Sequence, residues 1–193
     1  MEGGLICAIR YRMNYPRLVW QCRRGNRRAQ KELYELFKGQ VMGICRRYAR
    51  ESAEADDIFH ESMVKVFQKI DSLKDPQTLP AWVRQVVINT ATNQYRANLK
   101  LKYHDDYTTL EESSEADVNV LDKLSNDELL AQIARLPEGY RVVFNLYVID
   151  GYTHPQIAQM LNISVGTSKS QLHAAKKMLR SYLQTLGIVS YEK

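Results

Sequence analysis

Cysteine, histidine and long apolar runs are all scarce in this chain. Its three cysteines, Cys7, Cys22 and Cys45, are odd in number and far apart, with no pair at CxxC spacing. That excludes a disulfide framework or a cysteine-rich zinc site and fits free thiols in a reducing compartment. The four histidines join no Cys/His cluster, so no metal or other cofactor is expected. No apolar run approaches the ~20 residues of a membrane span. The stretch 1–9 is mildly apolar but lacks the basic-then-apolar order of a signal peptide. These absences point to a cytoplasmic protein with no membrane span of its own. Strand-like alternation is also missing, and nearly every periodic segment has helical spacing, so the expected fold is all-α.

What is present is enough apolar material for a core, 45% of the 193 residues, and an uneven charge. The formal net charge is +5. Residues 1–50 hold 12 Lys or Arg against 3 acids, residues 105–128 hold 9 acids against one Lys, and residues 129–193 hold 7 basic against 3 acidic side chains. The basic ends favour a polyanion and the acidic middle repels one.

The periodic segments fall into two groups. Tyr15 to Gln21 leads into Gly25-Asn26, a cap signal. Residues 29–50 place Leu33, Leu36, Phe37, Val41, Ile44, Cys45 and Tyr48 on one face, and residues 53–70 place Ile58, Met63, Val66, Phe67 and Ile70 inward. Residues 71–80 contain two prolines and read as a loop, followed by a helix over 81–97. Periodicity fails from Lys100 to about Asp122, where 104–119 is acidic and rich in Ser and Thr. About 20 such residues span roughly 25 Å root mean square, more if self-repulsion extends them. Helical spacing resumes near Leu121, with Leu124, Leu129, Leu130, Ile133, Leu136, Val142, Val143, Leu146 and Val148 as a second small core. The chain therefore reads as an extension over 1–14, expected to be disordered, a helical domain over 15–102, a flexible linker over 103–121 and a second helical domain over 122–187.

The second domain ends in a helix-turn-helix. Thr153 is a good N-cap with Gln156 at the capping-box position, and Pro155 is tolerated in the first turn. Ile157, Ala158 and Leu161 give that helix one apolar face, Asn162-Ile163 makes the turn, and Ser164 caps a second helix. Val165, Ser168, Leu172, Ala175 and Leu179, spaced three, four, three and four apart, form its expected buried stripe. Lys169, Ser170, His173 and Lys177 fall opposite. A short helix on a second helix with a basic outer face suits the major groove of DNA.

Two further constellations lie in the first domain. Asp57 and Glu61 are four apart and share a helix face, with Asp56, Val64 and Phe67 on the same segment. Acid–base or metal chemistry would need further ligands that the sequence does not supply, which leaves a solvated face or a docking surface. Trp82, Gln85, Asn89, Asn93 and Arg96, spaced three, four, four and three, form one stripe opposite Val83, Val86, Val87 and Ala91. An aromatic ring, three amides and a guanidinium on one exposed face can stack on unpaired bases and bond to their edges. The proline-bounded loop before it can wall a pocket for an extruded base.

These residues carry a resemblance. From about Val19 to Leu183 the chain resembles an extracytoplasmic-function (ECF) sigma factor, the two-domain form of the sigma-70 family. The match rests on the run 25–30 (Gly-Asn-Arg-Arg-Ala-Gln), on 55–58 (Ala-Asp-Asp-Ile) with Glu61 and Phe67, and on Ala81-Trp82 with 89–91 (Asn-Thr-Ala). In the second domain it rests on Leu136-Pro137, Tyr140-Arg141, 151–153 (Gly-Tyr-Thr) and 165–170 (Val-Gly-Thr-Ser-Lys-Ser).

The resemblance implies a non-enzymatic transcription initiation factor whose partners are core RNA polymerase, promoter DNA and an anti-sigma factor. Asp56, Asp57, Glu61, Val64 and Phe67 match the surface for the polymerase clamp helices. Trp82, Gln85, Asn89, Asn93 and Arg96 match the region that melts and reads the −10 element, with Asn89 at a position contacting the extruded base. Thr167, Lys169, Ser170, Gln171, His173, Lys176 and Lys177 fall in the reader of the −35 element, and the acidic linker matches the segment that threads into polymerase. The chain departs from the pattern in three places. Ser168 stands where the recognition helix usually has Val, so Ser168→Val is expected to be neutral or stabilising. His154-Pro155 stand where acidic residues are common, and Gln171 and Ala174 where Arg is frequent. Two other readings of the residues are an ordinary helix-turn-helix regulator with a sensing or dimerising N-terminal domain, and a metal-dependent nuclease using Asp56, Asp57 and Glu61.

Overall fold

The computed structural model of the chain describes residues 14–102 and 126–186. Residues 1–13 of the extension expected at the start, with Cys7, the linker expected over 103–121, and residues 122–125 of the second domain, with Leu124, lie outside the described residues. Among the described residues every regular element is helical.

Caps set where the first helices begin. Helix α1 spans Tyr15–Arg23, with the Asn14 side chain accepting from the Arg17 N–H at 3.0 Å. Gly25, at φ +70°, adopts the left-handed conformation that ends it. Asn26 then caps α2, Arg27–Tyr48, by accepting from the N–H groups of Arg28 and Ala29 at 2.9 and 3.2 Å. Helix α2 buries Leu33, Phe37, Val41, Ile44, Cys45 and Tyr48. Helix α3, Ser52–Lys69, buries Ile58, Met63 and Val66, and α4, Leu79–Lys102, buries Val83, Val87, Ile88, Ala91 and Tyr95. These three helices pack on one another with α1 against α2.

The stretch expected as a loop, 71–80, holds two 3₁₀ turns, Ile70–Ser72 and Pro76–Thr78, and α4 starts two residues earlier than its periodicity indicates. Pro80 thus sits in a first turn, where its missing N–H costs nothing. Burial pushes the thiols of Cys22 and Cys45 up to about 11 and about 12, so both stay protonated and are inert packing groups.

The second group begins with α5, Asn126–Ala134, and α6, Glu138–Phe144. Helix α6 runs on into a π-helical turn, Asn145–Ile149, closed by the Asp150 N–H on the Asn145 carbonyl at 2.9 Å. Gly151, at φ +78°, redirects the chain into α7, His154–Leu161, and α8, Val165–Thr185. Ile133, Leu136, Val142, Val143, Leu146, Ile157, Leu161, Leu172, Ala175 and Leu179 form its apolar interior. Two residues expected there are outside it. Val148 is 40% exposed because the π turn changes the helical phase, and Val165 is 40% exposed because it opens α8 ahead of the contact with α7.

The two groups share one continuous buried core. Polar contacts at the C-terminal end of α2 join them. Arg141, only 2% exposed, donates from Nε and Nη2 to the Tyr48 carbonyl at 3.3 and 3.2 Å. Its Nη1 donates to the carbonyls of Ala134 and Leu136 at 3.3 and 3.4 Å. Asn145 Nδ2 donates to the Arg47 carbonyl at 2.7 Å, and Arg50 pairs with Glu138. Burial lowers the Arg141 pKa from its ordinary value. Truncating this side chain strands buried carbonyls on both sides. Arg141→Met is therefore expected to lower stability by about 3 kcal/mol, measured by urea unfolding. Arg141→Lys should recover little, because one ammonium cannot reach Tyr48 and Ala134 together.

Candidate nucleic-acid interface

The exposed side of α3 gathers Asp56, Asp57, Glu61 and Val64, with Val64 52% exposed despite being apolar. Phe67, one turn on, is half-buried against the core and anchors this face. Glu61 accepts from Lys65 Nζ at 2.5 Å, an i,i+4 pair. Among the described residues no three or more His, Cys, Asp and Glu side chains gather as a metal ion would require. An acidic face with an uncovered valine at its centre is suited to meeting a basic, partly apolar surface.

On α4 the expected stripe is one surface. Gln85, Asn89 and Asn93 are exposed, while Trp82 and Arg96 are half-buried. Gln85 Nε2 donates to Asn89 Oδ1 at 3.0 Å, and Arg96 bonds to the Asn93 side chain. Trp82, Asn89 and Asn93 line a cavity of about 220 Å³ together with Lys65 and Lys69 of α3 and Ser72 of the preceding turn. Its aromatic wall, amides and two ammonium groups match the face, edges and phosphate of one unstacked nucleotide. The wall is held from α1: Arg23 donates from Nε and Nη2 to the Ile70 carbonyl, both at 3.3 Å, and from Nη2 to the Leu73 carbonyl at 2.5 Å. Arg23, Lys65 and Lys69 were not legible as site residues, because the first acts 47 to 50 residues away and the other two read as solvated lysines on α3.

The helix-turn-helix forms as its caps dictate. The Thr153 N–H and hydroxyl both donate to Gln156 Oε1, at 2.8 and 2.9 Å. Asn162 takes the left-handed conformation at φ 57°, and Ser164 Oγ accepts from the Thr167 N–H at 2.8 Å. Lys169 and Lys177 are exposed on α8, with Thr167, Ser170, His173 and Lys176 half-buried beside them. Gln171 departs from the expected set. It lies three residues from Ser168 and four from Ala175, both buried, and its side chain turns inward beside Gly139 with Oε1 buried.

Two of the departures from the family pattern meet each other. Ser168, fully buried, lies 2.9 Å from His154 through its Oγ and the ring Nδ1, and the His154 ring stacks on Tyr147 with centroids 4.5 Å apart. The expectation that Ser168→Val is neutral or stabilising is thereby reversed, because the hydroxyl is a bonded group at the α7–α8 contact.

A third polar centre joins the stripe to the helix-turn-helix. The Asp150 side chain is fully buried. Its Oδ1 accepts from Arg47 Nη2 at 3.0 Å and Arg84 Nη2 at 2.6 Å, and its Oδ2 accepts from the Tyr48 hydroxyl at 2.5 Å. Burial, then the Asp150 charge, pushes the Tyr48 phenol well above its ordinary pKa, so it remains a donor. Two residues on, the Tyr152 hydroxyl donates to Gln85 Oε1 at 2.7 Å. A cleft of about 480 Å³ opens beside these contacts, lined by Gln40, Pro80, Arg84, Gln85, Asp150 and Tyr152.

Comparison with known proteins matches both halves. Residues 33–100 match the family model for sigma-70 region 2, and residues 126–179 match that for sigma-70 region 4. The chain is 24% identical over 181 residues to the ECF RNA polymerase sigma-E factor of Haemophilus influenzae, covering 88% of this chain and 95% of the relative. It is 24% identical over 189 residues to the ECF RNA polymerase sigma factor SigW of Bacillus subtilis, covering 90% and 99%. Among solved structures, CnrH in complex with the cytosolic domain of CnrY aligns with a TM-score of 0.46 at 21% identity, covering 87% of this chain and 96% of that one. The sigma factor RpoE in complex with the anti-sigma factor NepR from Bartonella quintana aligns at 0.49 and 19%, covering 80% and 96%.

Because Ser168→Val removes the hydroxyl that contacts His154 Nδ1 at this buried site, it should cost about 1–2 kcal/mol. A double-mutant cycle with His154→Ala should show a coupling of at least about 0.5 kcal/mol in denaturant unfolding, where independent sites would show none.

Proposed function

The chain belongs to the sigma-70 family, in its ECF form, and from that footing we propose how its parts divide the work of directing RNA polymerase to promoters. The unit over 15–102 acts as region 2, and the unit over 122–187 acts as region 4. The chain between them is the linker, and the chain itself supplies recognition and strand opening without a catalytic centre.

Asp56, Asp57, Glu61, Val64 and Phe67 dock on core polymerase. The observation that carries the strand-opening role is the small cavity where Trp82, Asn89 and Asn93 face Lys65 and Lys69. Its volume suits one nucleotide, and it lies below the ~300 Å³ of an ordinary small-molecule site. Gln85 and Arg96 extend the same surface along the non-template strand. On α8, Lys169, Ser170 and His173 read bases of the −35 element, while Thr167, Lys176 and Lys177 meet its phosphates. Gln171 has no direct part in this, since its side chain faces inward. An anti-sigma protein is the expected negative regulator, in keeping with the complex described for the RpoE relative.

Run-off transcription with core polymerase, with and without this chain, tests the reading: transcripts from selected promoters should appear only with both. In the same system, Asp57→Lys with Glu61→Lys should weaken core binding by about 3 kcal/mol or more, at 1.5–3 kcal/mol per charge-assisted contact. Wild-type pull-down of core by the folded double variant removes α3 as the docking surface. Asn89→Ala should reduce permanganate reactivity at the −10 element while leaving core binding intact. An unchanged footprint at limiting holoenzyme removes Asn89 from base capture.

A further inference from the structure

Resting on the strand-opening role given above to the small cavity, we propose that Ser72 selects the base held there and that Arg23, from α1, is the positioning residue that lets it do so.

Ser72 ends the 3₁₀ turn Ile70–Ser72 and lines the cavity together with Asn89 and Asn93 of α4. Its Oγ lies 2.7 Å from the Lys69 carbonyl oxygen. A carbonyl can only accept, so the hydroxyl proton is spent there and Oγ offers a ligand lone pairs alone. Asn93 has the opposite sense. Its Oδ1 accepts from Arg96, which can only donate, and the amide NH₂ is the group left for a ligand. The ammonium groups of Lys65 and Lys69 are donors as well. An acceptor on the turn with donors on α3 and α4 fits a base edge that carries an amino group next to an unprotonated ring nitrogen. Cytosine, through N4, and adenine, through N6, have such an edge. Thymine and guanine carry a carbonyl oxygen in place of that amino group, and at Ser72 oxygen would meet oxygen.

The facing of Ser72 is a matter of backbone. Ile70 and Leu73 are each 3% exposed and anchor the two ends of the turn in the core. Asp71 and Ser72 between them are exposed, so no packing of their own side chains orients them. The turn is closed by the Leu73 N–H on the Ile70 carbonyl at 3.3 Å, a long bond. Arg23 adds three more from outside. Nε and Nη2 both donate to the Ile70 carbonyl at 3.3 Å, and Nη2 donates to the Leu73 carbonyl at 2.5 Å. These carbonyls lie on either side of Ser72 in the chain, so one planar cation fixes the peptide planes that aim it. The approach of Arg23 to Asp71 is of another kind. It is 3.8 Å, with the Asp71 side chain 79% exposed, an ion pair worth little in water. The carbonyls, not the carboxylate, are what the guanidinium holds, and a lysine could not serve both with the same geometry.

The test uses full-length chains assembled with core polymerase: wild type, Ser72→Ala, Arg23→Ala, Arg23→Lys, Asp71→Asn and the double variant Arg23→Ala with Ser72→Ala. Competitive binding is measured to pre-opened promoters whose non-template strand carries each of the four bases in turn at every position of the −10 element. At one position wild type should favour cytosine or adenine over thymine and guanine by about fivefold or more, the worth of one hydrogen bond. Ser72→Ala and Arg23→Ala should each bring that preference to within about twofold, at that position alone, and the double variant should lose no more than either. Arg23→Lys should restore less than about half of it, and Asp71→Asn should keep it whole. Core binding and helical circular dichroism should match wild type throughout. A wild type that reads −10 bases but shows no such position, or a Ser72→Ala chain that keeps the preference, overturns the role of Ser72. Arg23→Ala that weakens binding to every template alike with the preference intact, or a double variant whose losses add, overturns the positioning role. Should Arg23→Ala fail to fold, a folded Arg23→Lys chain with the full wild-type preference overturns it equally. These outcomes leave strand opening by the cavity standing. A wild-type holoenzyme that neither transcribes nor discriminates any −10 base overturns that reading, and the selection by Ser72 with it.

Discussion

A long helix must end somewhere, and α2 ends in the interior. Its 22 residues carry the main apolar face of the first unit and stop at Tyr48, whose carbonyl and that of Arg47 are left without helical partners. Buried carbonyls of this kind cost free energy unless a donor arrives. The donors arrive from almost a hundred residues away, as the Arg141 guanidinium and the Asn145 amide. Arg141 simultaneously closes the chain between α5 and α6 through the carbonyls of Ala134 and Leu136. One planar cation thus finishes two elements and fixes how the second unit meets the first.

Placement of that junction determines what the surfaces can do. With Arg141 and Asn145 seated at the end of α2, the π turn brings Asp150 to Arg84 and Tyr152 to Gln85. Helix α4 is therefore read from two sides: its Trp82, Asn89 and Asn93 side faces α3 and the small cavity, while Arg84 and Gln85 face the second unit. Gln85 lines both spaces, so the arrangement of the halves bears on the surface proposed for strand opening.

The parts of this that the sequence made legible are local. Asn26, Thr153 and Ser164 mark helix starts because a cap acts within three residues, and the stripes on α3 and α4 follow from a period of 3.6. Contacts across long stretches of chain are invisible to that reasoning. Asp150 reads as one acid in a basic half, and nothing nearby indicates that Arg47, Tyr48 and Arg84 await it. The π turn breaks the period on which Val148 was placed inside. Ser168 and His154 each read as an anomaly on its own helix, and only their 2.9 Å approach makes them one feature. Gln171 shows the limit of helix phase: a residue on the flank of the buried stripe turns inward or outward according to what packs beside it, here Gly139 with no side chain to exclude it.

Helix α3 carries parts of two proposed surfaces that its sequence displays as separate. Its outer face carries Asp57, Glu61 and Val64, and one turn on Lys65 and Lys69 line the cavity opposite Trp82. Lys65 belongs to both, since its ammonium is held 2.5 Å from the Glu61 carboxylate. Under the proposed docking, a cationic group of polymerase that meets Glu61 would compete with Lys65 for the same oxygens. Lys65 would then give up an exposed pair worth little in water and be free to turn its charge to the cavity, where a phosphate would be a stronger partner. On the proposed roles of the two faces of α3, Lys65 is the one side chain that touches both.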